Sequence, residues 1–254
     1  MNGHLLARTG FGLFCGINFI FMINAAVFAA QGRPADPMYS VLGALQVTLI
    51  YMYLILDIKW DARIKLLLLF LSILIMMISL SQENLNLLWF SLGVPVTFIY
   101  NRPGISVRNV PLLKNVYIAL VWSGSFLFFL KHFYINNLTV LILLSQFILI
   151  LILSVMSDIL DLQEDFSKAH NTLSRIWSIP KIVTLLFLLI ISYTALMIFY
   201  VTSPKNIPVI IATAMIPIFF LIVHITRRKI IWPWYSKYLL DFSIILHCLI
   251  LLNN

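Results

Sequence analysis

Long apolar runs separated by short polar stretches repeat from one end of the chain to the other. A helix needs about 20 mainly apolar residues to cross the hydrocarbon core of a bilayer. Nine segments reach or approach that length, at roughly 9–30, 38–56, 64–81, 86–100, 115–131, 137–156, 181–201, 206–224 and 238–252. The pattern predicts an all-α polytopic membrane bundle of about nine transmembrane helices. Several runs are short for a span, and one of them could re-enter the membrane instead of crossing it. The runs leave no room for a soluble domain, so residues 1–254 read as a single integral membrane domain. The first run carries Asn18 and Asn24 and has no small-x-small cleavage site before Gln31, which argues against a removable signal peptide.

Composition agrees with the pattern. The chain is 62% hydrophobic and 10% charged, whereas soluble domains are roughly 45–50% apolar and about 25% charged. The net charge of +8 could suggest nucleic acid, but its distribution argues against it. The N-terminus and the loops after the second, fourth, sixth and eighth runs hold 14 of the 17 Lys and Arg residues. Only Arg33, Lys131 and Lys205 fall on the opposite side. Basic residues gather on the cytoplasmic side of membrane proteins. The expected topology in the cell (inner) membrane therefore has a cytoplasmic N-terminus and an external C-terminus. Cys15 and Cys248 fall within apolar runs and read as buried small hydrophobes.

Acidic residues depart from this background. Six of the nine Asp and Glu residues sit in two short windows, each following a long apolar run. Asp57 and Asp61 follow the second run; Asp158, Asp161, Glu164 and Asp165 follow the sixth. If the helices continue past their apolar parts, Asp57 and Asp61 stand at i and i+4 on one face. Asp158, Asp161 and Asp165 form a similar stripe at i, i+3 and i+7, with Glu164 off its centre. Carboxylates at the mouth of a membrane helix are costly unless a cation or polar ligand compensates them. Stacked carboxylates repel one another, so cations are the natural partners. Mg²⁺ prefers oxygen ligands and is commonly held by one or two carboxylates plus substrate phosphates. Two such stripes on one cytoplasmic cavity could clamp a diphosphate through Mg²⁺, with nearby Lys and Arg neutralising the remaining charge. His4, His132, His170, His224 and His247 are scattered without ligand spacing, which gives little support to a His/Cys metal site.

Each candidate has a plainer alternative. Asp57 and Asp61 could pair with Lys59, Arg63 or Lys65, and the second window could be a solvated helix end. Lys114, Arg108 and Lys168 could contact phosphate or serve only as topology determinants. Asn18 and Asn24 could line a cavity or bond neighbouring helices. Asp241, near the start of the ninth run, has Lys237 one turn away as its simplest partner.

The order of runs and motifs resembles the UbiA superfamily of intramembrane prenyltransferases. Those proteins have nine transmembrane helices and Asp-rich motifs after the second and sixth, approximately Asn-Asp-x-x-Asp-x-x-x-Asp. Ser157-Asp158-x-x-Asp161-x-x-x-Asp165 keeps the three acids and has Ser157 in place of Asn. The continuation Phe166 to Leu173 is similar to the family's basic-x-x-Gly-x-x-Thr-Leu, with His170 near the usual Gly. Val110 to Lys114, followed by Ala119 to Trp122, resembles the stretch that carries a phosphate-contacting Lys before the fifth helix. Tyr53 and Leu54 stand where the first motif has its Asn-Asp pair, and Val110 stands where a Tyr is usual.

The resemblance implies Mg²⁺ held by Asp57, Asp61, Asp158, Asp161 and Asp165. It implies a diphosphate contact from Lys114, while Arg108 and Lys168 remain candidate phosphate contacts and Asn18 a candidate cavity and substrate-binding residue. The implied reaction is Mg²⁺-dependent transfer of a prenyl group from an isoprenyl diphosphate to an aromatic or lipid acceptor within the bilayer. One alternative is a degenerate UbiA-like protein that binds a polyprenyl lipid, or assists a partner, without catalysis. A small membrane transporter is another.

Overall fold

A computed structural model of the protein describes residues 2–55, 70, 71, 73, 74, 77, 107, 110–130, 136–160, 173–201, 206–225 and 233–253. Among the described residues all regular structure is helical, and there is no strand. Three helices among the described residues are long and apolar enough to cross a membrane, Gly10–Gln31, Asn137–Leu160 and Ile179–Tyr200, with a shorter apolar stretch at Ile207–Val223. The expected span at 86–100 lies outside the described residues, and only five positions of 64–81 fall within them. The described residues fall into two compact units.

The first unit holds α1 (Asn2–Gln31) and α2 (Pro37–Ile55), together with a 3₁₀ turn at Phe126–Phe129. Gly32 ends α1 at φ +68°, a left-handed conformation that glycine adopts without a Cβ penalty, and its N–H donates to the Phe28 carbonyl at 2.7 Å. Asp36 then caps α2. Its carboxylate accepts the Met38 N–H at 2.9 Å, and Pro37 occupies the first helical position, where its missing N–H costs nothing.

The two helices approach closely at small residues. A Cβ added at Gly16 would overlap Thr48 Oγ1 and lie 3.0 Å from the Ala44 carbonyl oxygen. One at Gly43 would lie 2.9 Å from Phe19 and 3.0 Å from Phe129. Phe19 and Phe129 meet edge to face, with centroids 6.0 Å apart. Small residues are what bring membrane helices into such contact, because lipid supplies no hydrophobic drive between them.

The second unit holds α3 (Leu113–Ser125, except its last residue), α4 (Asn137–Leu160), α5 (Leu173–Ile176), α6 (Ile179–Tyr200), α7 (Ile207–Ile225) and α8 (Pro233–Leu252). Asn136 caps α4, its Oδ1 accepting both the Thr139 N–H at 2.7 Å and the Thr139 hydroxyl at 2.8 Å. α4 packs on α5, α6, α7 and α8, and α7 packs on α6 and α8. Pro180 stands in the first turn of α6 and Pro217 lies inside α7. Cys15 and Cys248 are buried thiols, not joined in a disulfide. The membrane-length part of α1, Gly10–Gln31, matches the expected run at 9–30, and α3 gives way to the 3₁₀ turn at Phe126, short of the expected end at 131.

Candidate functional site

The site begins at a strained turn. Leu112 adopts φ 63°, a left-handed conformation costing about 1–2 kcal/mol for a residue with a Cβ. It is held there by local bonds, Leu113 N–H to the Pro111 carbonyl at 2.7 Å and Val116 N–H to the Leu112 carbonyl at 2.9 Å. The turn sets where α3 starts, and so places Lys114 and Asn115 in its first turn. Backbone strain of this sort persists only where the surroundings enforce it.

Across from that turn stands Asp158, near the C-terminal end of α4 and only 4% exposed. Its two oxygens have different partners. Oδ1 forms an ion pair with Lys114 Nζ, and Oδ2 accepts the Asn115 Nδ2–H at 3.2 Å. The same Asn115 amide group donates to Ser154 Oγ at 3.1 Å, one turn earlier on α4. Asn115 is fully buried, and its Oδ1 has no hydrogen-bond partner among the described residues. The buried carboxylate thus has one cation and one amide donor among its partners. The arrangement leaves a spare acceptor oxygen beside it.

Two of the expected site residues, Asp158 and Lys114, are therefore in direct contact. The Asn115 and Ser154 contacts were not foreseen. A polar residue directly after a candidate phosphate-binding lysine, at the head of an apolar helix, was the available signal. Asn18 is fully buried in α1, and neither end of its amide has a partner among the described residues. Asn24 instead donates to the Ile20 carbonyl of its own helix at 2.9 Å. Asp241 has Lys237 as an electrostatic partner one turn away. Asp57, Asp61, Asp161, Asp165, Arg108 and Lys168 lie outside the described residues. Within the described residues, no three His, Cys, Asp or Glu side chains gather as metal ligands.

No family model matches the chain, and no curated protein matches its sequence. Among solved structures, it is similar to that of digeranylgeranylglyceryl phosphate synthase in membranes, with a TM-score of 0.60 at 15% identity. The match covers 97% of this chain and 99% of that one. The likeness is one of fold. Together with the long apolar helices, it makes the chain an integral membrane protein built as a helical bundle.

Proposed function

We propose that the chain transfers a prenyl group from an isoprenyl diphosphate to an aromatic or lipid acceptor within the membrane, as a divergent nine-span member of the UbiA superfamily. The observation that carries this reading is the buried Lys114–Asp158–Asn115 cluster, in a bundle similar over 97% of its length to a synthase of prenylated glyceryl phosphate.

The donor set is suited in kind to Mg²⁺, since Asp158 and the free Asn115 Oδ1 are both hard oxygen ligands. Asp57, Asp61, Asp161 and Asp165 would complete the set. When bound, the ion would neutralise diphosphate charge and ease departure of the leaving group. Lys114 exchanges Asp158 for a diphosphate oxygen when substrate enters, and Arg108 and Lys168 add positive charge around it. Asn115 keeps Asp158 oriented while its lysine partner is engaged elsewhere. The bond between prenyl C1 and the diphosphate oxygen breaks, its electron pair leaving with the diphosphate. The acceptor's nucleophilic atom bonds to C1 and later loses its proton. Apolar helix walls keep water from intercepting the allylic cation.

A second reading is favoured by Tyr53 and Leu54, which leave the first acidic window with fewer oxygen ligands. On that reading the protein binds a polyprenyl lipid without turnover. Purified protein is incubated with radiolabelled isoprenyl diphosphates, a panel of aromatic and glyceryl phosphate acceptors, and Mg²⁺ or a chelator. Labelled product formed with Mg²⁺ and lost with chelator supports transfer. Binding of label with no product from any acceptor favours the second reading, and absence of both sinks the proposal.

A further inference from the structure

The second unit contains a buried polar group that the proposed reaction does not use. His247 of α8 is fully buried, and its Nδ1 lies 3.0 Å from the Tyr193 hydroxyl of α6. With the imidazole proton on Nδ1, His247 donates to the Tyr193 oxygen. The lone pair of His247 Nε2 is then bare and faces the protein interior, where it has no partner among the described residues.

An independent observation comes from Ser243, one turn earlier on α8 and also fully buried. Hydroxyls in apolar helices normally bond the carbonyl four residues back. Ser123, Thr184, Ser192, Thr194 and Thr213 all do so here, at 2.7–2.9 Å. Ser243 does not, and its Oγ has no partner among the described residues. Residues four apart on a helix share a face, with Cβ atoms about 5–6 Å apart. One oxygen making two bonds of about 2.8 Å can bridge that separation. Leaving both groups unmet would cost about 1–3 kcal/mol each.

We propose that His247 Nε2 and Ser243 Oγ form a binding site for one hydroxyl group, borne by a membrane-soluble alcohol or phenol or by a single water molecule. The hydroxyl donates its proton to Nε2 and accepts the Ser243 proton. Tyr193 positions the site by holding the imidazole through Nδ1. Two uncharged, complementary partners select a neutral O–H group over an ion.

The test is ¹⁵N-histidine NMR on the full chain in phosphatidylcholine nanodiscs, with His247→Asn used to assign the resonance. Protonated Nδ1 and a hydrogen-bonded, unprotonated Nε2 are expected. Ser243→Ala, which removes one oxygen and adds no volume, should shift Nε2 toward its free position. A bonded Nε2 after delipidation, with magnetisation transfer from water, assigns the site to water. A free Nε2 restored to the bonded position by a polyisoprenoid alcohol or a long-chain phenol assigns it to a lipid hydroxyl. An Nε2 that is free in every preparation, protonated, or unmoved by Ser243→Ala overturns the proposal.

Discussion

Removing the charge of Lys114 should destabilise the protein more than neutralising Asp158, and removing both charges should restore much of the loss. In Lys114→Met, Asp158 stays buried and keeps the Asn115 amide but loses its lysine cation. Breaking a buried pair from one side costs about 3–5 kcal/mol. The Lys114 side chain retains 11% exposure, so the low end, about 3 kcal/mol, applies. In Asp158→Asn the new amide oxygen can still accept from Asn115, and Lys114 can extend its stem toward water, so about 1 kcal/mol is expected. The double variant holds no uncompensated charge and should also lose about 1 kcal/mol. The expected coupling is therefore about 2–3 kcal/mol, measurable by denaturant titration of the four proteins in detergent micelles. Diphosphate binding by isothermal titration should separate from stability, because the double variant regains the fold but lacks both ligands. Coupling below about 0.5 kcal/mol, the range of independent sites, would refute the pairing argument. Full diphosphate binding by the double variant would refute the assigned roles.

Gly16→Ala should destabilise the first unit by about 1–3 kcal/mol, since its Cβ would overlap Thr48 and press on the Ala44 backbone. Gly124→Ala, with nothing near its added Cβ, should instead be neutral or stabilise α3 by up to about 1 kcal/mol, and thermal denaturation of both variants reads the contrast. Asp161→Asn should lower Mg²⁺-dependent diphosphate binding more than Glu164→Gln, because Glu164 lies off the acidic stripe; equal titration curves would remove Asp161 from the ligand set. Reporters fused after Asn254 and inserted within 131–137 should both read as external, and a cytoplasmic signal from either would reverse the charge-based topology.

The membrane helices were legible because apolar runs are long-range averages that survive errors of several residues. Their ends were less so. The break of α3 at Phe126 depends on local geometry that hydrophobicity does not encode. Asp158 and Lys114 stood out as rare charges beside apolar runs, but each was read as facing a ligand. Their contact joins residues 44 positions apart, a separation at which helical periodicity says nothing. Asn115 escaped attention because an uncharged amide carries no charge anomaly, and its value lies in reaching Ser154 and Asp158 together. Asn24 illustrates the reverse error. A polar side chain in a span suggested a cavity or a neighbouring helix, whereas its own helix's carbonyl was the nearer partner.

The α1–α2 connection has a consequence for biogenesis. Between Gln31 and Pro37 the chain reverses in five residues, with Asp36 spent on the α2 amides and Arg33 Nη2 donating to Gln31 Oε1 at 3.3 Å. Arg33 and Asp36 also nearly cancel in charge, so on the charge-based topology the segment to be translocated carries little net charge across the bilayer. Gly16 and Gly43 allow the two helices to close against each other along much of their length. The hairpin can therefore leave the insertion machinery as one paired unit and need not wait for later helices to shelter its turn.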